Sequence, residues 1–179
     1  MKDGIVVWIT GLSGAGKSTI SRRVAQIIRQ GGSNCILLDG DEIRQVFPDL
    51  QAGHDRESRL LQAHRNSGLA KLLSDQGHTV IFATMSLFVE IQEWNRLNFP
   101  AYLEVFVDVP IKLLEERDSK GLYSRAKQGL VKNVVGIHLD YDRPGSPDLV
   151  VDNSGDITEV EAIAQEIANL VNDRQVCSG

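Results

Sequence analysis

The sequence predicts an α/β fold, a five-stranded parallel sheet flanked by helices. Three observations predict it. Five short apolar runs recur along the chain, most of them continuous rather than alternating, as strands covered on both faces require. Helix-like segments separate the runs, which implies right-handed crossovers between parallel strands. A glycine-rich turn joins the first run to the first helix, at the edge where open sheets of this kind bind ligands.

The first strand is read in IVVWI, Ile5 to Ile9. A helix follows from Ser18 to Gln30 and stops at Gly31-Gly32. CILL (Cys35 to Leu38) and TVIFA (Thr79 to Ala83) are the second and third strands. Between them, Glu57 to Gln76 carries Leu60, Leu61, Leu69, Leu72 and Leu73 in an amphipathic pattern and ends at Gly77. LEVFVDV (Leu103 to Val109) and DLVVD (Asp148 to Asp152) complete the sheet. The last helix, Val160 to Val171, repeats apolar residues at Ile163, Ile167, Leu170 and Val171. Asp118 to Gly145 stays outside this scheme. It is polar, basic and glycine-punctuated, and a stretch of that length inside a compact domain marks a functional lid. Residues 1–179 read as a single domain with neither repeats nor a low-complexity linker.

A chain of 179 residues is long enough to bury a real core, and 42% hydrophobic with 24% charged residues describes an ordinary globular protein. The net charge of -5 excludes a global basic field that would draw nucleic acid or an anionic membrane. No apolar run approaches membrane-spanning length, and Ile5 to Ile9 is too short for a signal peptide. Cys35 and Cys177 lie too far apart for a metal spacing, and Cys35 reads as a small buried hydrophobe. A cytoplasmic protein is the expectation.

After the first strand comes GLSGAGKS, Gly11 to Ser18, which matches G-x-x-x-x-G-K-[ST]. Its glycines let successive N–H groups turn onto phosphate oxygens, and the following helix adds its positive end. Lys17 supplies a charge to the β- and γ-phosphates, and Ser18 a hydroxyl to Mg²⁺. Gly11, Ser13, Gly14, Ala15, Gly16, Lys17, Ser18 and Thr19 are therefore the candidate contacts to ATP. Two classes use such a loop, kinases and nucleotide switches. A guanine-reading NKxD is absent, and DRPG (Asp142 to Gly145) lies just before the fifth strand, where a switch motif would not be. The kinase reading is favoured.

LLDGDEIR, Leu37 to Arg44, sets two aspartates at the end of an apolar strand. If that strand lies beside the first, Asp39 and Asp41 face the phosphate loop. The plain alternative makes Asp41 the N-cap of a short helix from Glu42 to Phe47. Opposite a phosphate loop, a phosphoryl acceptor needs a carboxylate to orient its hydroxyl or hold metal, and Asp41 can cap and catalyse at once. Arg44, one turn on, can clamp an anionic acceptor. In the lid, Arg117, Lys120, Arg125, Lys127 and Lys132 place five cations in sixteen residues. A solvated helix face is the plain reading of such a run. The DSKG turn and Tyr123 favour a segment that closes over phosphate.

Taken together, GLSGAGKS, LDGDEIR, ERDSKGLYSRAKQG (Glu116 to Gly129) and PDLVVDN resemble the adenylylsulfate kinase family from about Gly4 to Val171. That family moves the γ-phosphate of ATP to the ribose 3′-hydroxyl of adenylylsulfate. The resemblance implies a P-loop kinase fold in which Lys17 and Ser18 hold phosphate and Mg²⁺. Asp41 orients the acceptor or shares the metal with Ser18, Arg44 contacts the acceptor, and Arg117 and Lys120 bring lid cations over ATP. Whether Asp39 or Asp41 is the main catalytic carboxylate stays open, as does the oligomeric state, a homodimer being one option.

The acceptor half departs from the family. Two phenylalanines that sandwich adenine there are missing: QAGHDRESR (Gln51 to Arg59) has no aromatic residue, and NVVGIH (Asn133 to His138) puts Val134 at the other position. The family's N-I-R-R is replaced around Gln62, Ala63, His64 and Arg65, and its I-S-P-Y by MSLF, Met85 to Phe88. Either Asp55-Arg56 or Ser58-Arg59 takes the place of its D-R pair. Asp39, Arg44, Arg56, Arg59, Arg65, Lys132 and Val134 are the candidate acceptor contacts, His54 and His64 read as structural, and Phe47 or Phe88 offers a replacement stacking face. Adenylylsulfate is the family default. A different anionic acceptor, such as cytidine diphosphoramidate, another nucleotide or a phosphosugar, is its close rival.

Overall fold

A computed structural model describes residues 4–47, 55–118, 120–155 and 159–177. The chain runs β1 (Val6–Thr10), α1 (Lys17–Gln30), β2 (Cys35–Asp39), α2 (Gly40–Val46), α3 (Arg56–Ser74), β3 (Thr79–Ala83), α4 (Val89–Asn98), β4 (Tyr102–Asp108), α5 (Ile111–Arg117), α6 (Leu122–Lys127), β5 (Leu149–Asp152) and α7 (Glu159–Cys177). The five strands are all parallel, in the order β2-β3-β1-β4-β5. The predicted sheet is thus present, with one correction. β2 does not lie beside β1, because β3 is inserted between them, and Asp39 pairs in register with Ala83.

Both faces of the central strands are buried, which is why their sequences run continuously apolar. Val7 and Ile9 point into one core with Ile20, Val24 and Ile28 of α1 and Ala164, Ile167 and Val171 of α7. Val6 and Trp8 point into the other, with Ala63 and Ala70 of α3, Ile91 of α4 and an aromatic cluster of Phe82, Phe99 and Tyr102. Each fully buried large side chain of this kind contributes about 1.5–3 kcal/mol.

Of the leucines expected to seat α3, Leu60 and Leu73 pack against the core. Leu61 and Leu72 are exposed, and the helix turns small residues, Ala63, Asn66, Ser67, Ala70 and Ser74, toward the sheet. Small side chains let the helix approach closely, and they leave room for a polar residue, Asn66, above the end of β3.

The basic segment that resisted assignment holds α6 and is anchored. Tyr123, Ala126 and Val134 are buried in the first core, so its apolar content is sufficient to seat it on the sheet. Asp118 explains the turn before α6: its two carboxylate oxygens accept from the N–H groups of Tyr123 and Ser124, each at 2.9 Å. Those bonds hold its carboxyl below the usual carboxylate range, the Ser124 bonds most of all. Among the described residues no helix is long and apolar enough to cross a membrane.

Candidate active site

The carboxyl ends of the parallel strands converge on one edge, and a cavity of about 710 Å³ opens there. One wall is the loop between β1 and α1. Gly11 adopts φ +150, and a Cβ on it would lie 2.5 Å from the Val107 carbonyl oxygen of β4, so a side chain there requires the backbone to shift. Lys17, half-buried at the start of α1, donates to the Leu12 carbonyl at 2.7 Å. Burial, and then the nearby Lys120 cation, bring its pKa down to about 7; Asp39 opposes this and Arg44 adds to it. A lysine held so near neutrality is poised to gain charge when an anion enters.

The two aspartates of LLDGDEIR have different partners. Asp39 is buried and is the N-cap of α2, accepting from the Asp41 N–H at 2.8 Å through Oδ1. The expected cap at Asp41 is therefore corrected to Asp39, and the helix begins at Gly40. Gly40 is small because a Cβ would come within 3.2 Å of Thr84 Oγ1, where α2 leaves the sheet edge. The other oxygen of Asp39, Oδ2, accepts from the Ser18 hydroxyl at 2.5 Å. Although β3 separates β2 from β1, α1 packs across both β2 and β3 and so carries Ser18 to Asp39. Ser18 is thus joined to Asp39, while Asp41 has other partners.

Asp41 instead faces cations. Lys120 Nζ is 2.7 Å from Asp41 Oδ2, and Arg44 pairs with Oδ1. Among the described lining residues five cations, Lys17, Arg44, Arg59, Lys120 and Arg125, meet only Asp39 and Asp41. Burial holds Arg44 and Arg59 below the usual guanidinium range, with Arg44 adding to the effect on Arg59. The described lining therefore carries a net positive charge, which suits an anionic ligand.

The remaining candidates divide. Arg59 lines the cavity and donates to the Asn133 carbonyl at 2.9 Å. Arg56 lies over the Phe88 ring, 5.4 Å from its centroid, and pairs with Glu90 at 2.9 Å. Phe88 is the one aromatic side chain among the described lining residues. Phe47 is half exposed and does not line the cavity. Other expected contacts lie off the cavity lining. Arg65 and Lys132 are exposed and are not among the lining residues, and Val134 is buried in the core, also outside the lining. Arg117 is not among the lining residues; its guanidinium donates to the carbonyls of Asn153, Ser154 and Gly155 at 2.8, 2.9 and 3.1 Å. His64 is exposed, and Gln51 to His54 lie outside the described residues.

Several site residues escaped the sequence reading. Gln62 and Asn66 of α3 line the cavity, joined at 2.9 Å, and the hydroxyls of Thr84 and Ser86 lie 2.9 Å apart just past β3. The position of Thr84 and Ser86, directly after a strand's carboxyl end, is the signal that would have found them. Asn153, directly after β5, is marked by the same signal and is taken up below.

The comparisons with known proteins agree with this geometry. Residues 3–152 match the family model for adenylylsulphate kinase. The chain is 38% identical to the cytidine diphosphoramidate kinase of Campylobacter jejuni, over 83% of this chain and 86% of that one. It is 39% identical to the adenylyl-sulfate kinase of Aeromonas salmonicida, over 91% and 83%. A Mycobacterium tuberculosis APS kinase, solved with AMPPNP and APS, superposes with a TM-score of 0.87 at 33% identity, covering 96% of this chain and 99% of that one. With an ATP loop, a carboxylate-bearing edge and a cation-lined cavity on one sheet, this chain is an ATP-dependent phosphotransferase and belongs to the adenylylsulphate kinase family.

Proposed function

We propose that the enzyme transfers the γ-phosphoryl group of Mg·ATP to a hydroxyl of a small anionic nucleotide whose base is not gripped between two aromatic rings, cytidine diphosphoramidate being the acceptor best supported. The observation that carries this reading is the acceptor wall. Val134 is packed into the core, and Phe88, backed by Arg56, is the one aromatic face among the described lining residues. Aromatic–base stacking contributes about 1–3 kcal/mol per base, so a single face supports a weaker hold on a large purine than two. The likeness to a cytidine diphosphoramidate kinase supports the same direction.

In this reading Lys17 and the N–H groups of the loop bind the triphosphate. Ser18 and Asp39 present adjoining oxygens, a hard donor set that fits Mg²⁺, which keeps most of its ligands as water and phosphate. When bound, the ion would neutralise charge on the phosphates. Asp41 orients the acceptor hydroxyl and takes its proton, once Lys120 has turned from Asp41 to the phosphates. Arg44, Arg59 and Arg125 hold the acceptor's anionic group. Adenylylsulfate is the second reading, favoured by relatives that bear that name and are 39% identical to this chain.

Phe88→Ala tests the wall. The reading expects KM for the acceptor to rise about tenfold, with KM for ATP unchanged. An unchanged acceptor KM would remove Phe88 from the site and the reading with it.

A further inference from the structure

The loop between β1 and α1 is held from outside by two residues that belong neither to the loop nor to the cavity wall. Asn153, 7% exposed at the end of β5, donates from Nδ2 to the Ala15 carbonyl at 2.8 Å. Tyr123, 2% exposed on α6, donates from its hydroxyl to the Ser13 carbonyl at 2.8 Å. Neither contributes to the cavity lining, whereas Ser13, Gly14 and Gly16 do.

We propose that Asn153 and Tyr123 are positioning residues of the phosphate cradle, which turn the Ser13 and Ala15 carbonyls outward and thereby aim the Gly14 and Gly16 N–H groups at the triphosphate. The argument is geometric. In a planar trans peptide the C=O and the following N–H point to opposite sides, and the described chain has no cis peptide. Fixing the carbonyl of residue 13 or 15 on the outside therefore fixes the N–H of residue 14 or 16 on the inside. Gly14 and Gly16 sit at φ +78 and +97, where glycine moves easily, so an unheld peptide would flip at little cost. The fit around Asn153 is close, because a Cβ on Gly16 would lie 2.3 Å from its Nδ2.

Both clamps hang on one turn. Arg117 holds the Asn153 carbonyl, Asp118 caps the helix that carries Tyr123, and Lys120 reaches Asp41. This turn sets the cradle on one side and meets the acceptor-side carboxylate on the other. Phosphate binding by backbone N–H groups depends on their direction, so a cradle held in advance binds without a reordering cost.

The inference rests on the triphosphate occupying this loop, which binding of AMPPNP to the unaltered enzyme tests separately; no binding there would overturn both. The test uses Tyr123→Phe and Asn153→Ala, with AMPPNP affinity by calorimetry, acceptor KM at saturating ATP, melting temperature, and glycine amide shifts by ¹⁵N NMR. One hydrogen bond corresponds to a loss of about fivefold in AMPPNP affinity for each variant, with acceptor KM unchanged. The AMPPNP-induced shift of Gly14 should shrink in Tyr123→Phe and that of Gly16 in Asn153→Ala. Unchanged AMPPNP affinity, or a loss shared equally by acceptor KM and tracking melting temperature, would overturn the proposal. Should Asn153→Ala not fold, Tyr123→Phe, which removes one oxygen from a buried ring, decides by the same criteria.

Discussion

Lys120 places its ammonium 2.7 Å from Asp41 Oδ2, so a cation from the segment after α5 rests on the carboxylate that follows β2. The pair spans the cavity, and both side chains are about half exposed. An exposed pair of this kind contributes at most about 1 kcal/mol to stability, and the role proposed for Asp41 is catalytic.

Asp41→Asn should therefore lower single-turnover phosphoryl transfer by about 10²–10⁴-fold, the range for a lost base or orienter. Affinity for ATP and melting temperature should change little. An unaltered transfer rate would leave Asp41 as a surface partner of Lys120 and Arg44.

Lys17, with its pKa brought down to about 7, predicts proton uptake. A bound triphosphate favours the charged ammonium and raises that pKa. Nucleotide affinity is then fully present below about pH 7 and declines as pH rises through it, until the bound-state pKa is reached. Calorimetry in buffers of different ionisation enthalpy at about pH 8 should detect uptake that Lys17→Met abolishes. Equal heats in all buffers would contradict the account.

Gly11→Ala should be poorly tolerated, since the new methyl would meet the Val107 carbonyl at 2.5 Å and φ is +150. Strain of this kind costs about 1–3 kcal/mol, which lowers the melting temperature by several degrees and weakens ATP binding together. A variant with wild-type melting temperature would show that the loop can move off β4.

Glu104, 1% exposed on β4, has its pKa raised, by burial first, and against the opposing charge of Arg96 at 2.8 Å. A carboxyl whose folded pKa is raised contributes stability that is full below the ordinary carboxylate range and lost as pH rises through the folded value. Denaturant unfolding at several pH values should show this decline, and Glu104→Gln should flatten it. An identical profile in the variant would place the pH dependence elsewhere.

Much of this was legible in the sequence because each signal was local. Continuous apolar runs marked the five strands, and GLSGAGKS marked the loop whose contacts lie within a few residues of one another. Strand order was not legible, since nothing local says that β3 enters between β2 and β1. The roles of Asp39 and Asp41 were not legible either, because they depend on α1 carrying Ser18 across the sheet. The short helices α4, α5 and α6 span too few turns for a clear period. Arg117 read as a phosphate cation by its charge, yet it meets three carbonyls that lie 36 to 38 residues away. Val134 was read as an acceptor contact by its place in a motif, and the packing of the core claimed it instead.

The acceptor is the centre of the account, and one competition experiment addresses it. Purified enzyme with saturating Mg·ATP is given adenylylsulfate and cytidine diphosphoramidate, separately and together, and kcat/KM is measured for each. Loss of one aromatic face from the acceptor wall predicts a preference for cytidine diphosphoramidate of about tenfold or more, reduced by Phe88→Ala. A kcat/KM for adenylylsulfate equal to or above that for cytidine diphosphoramidate would contradict it.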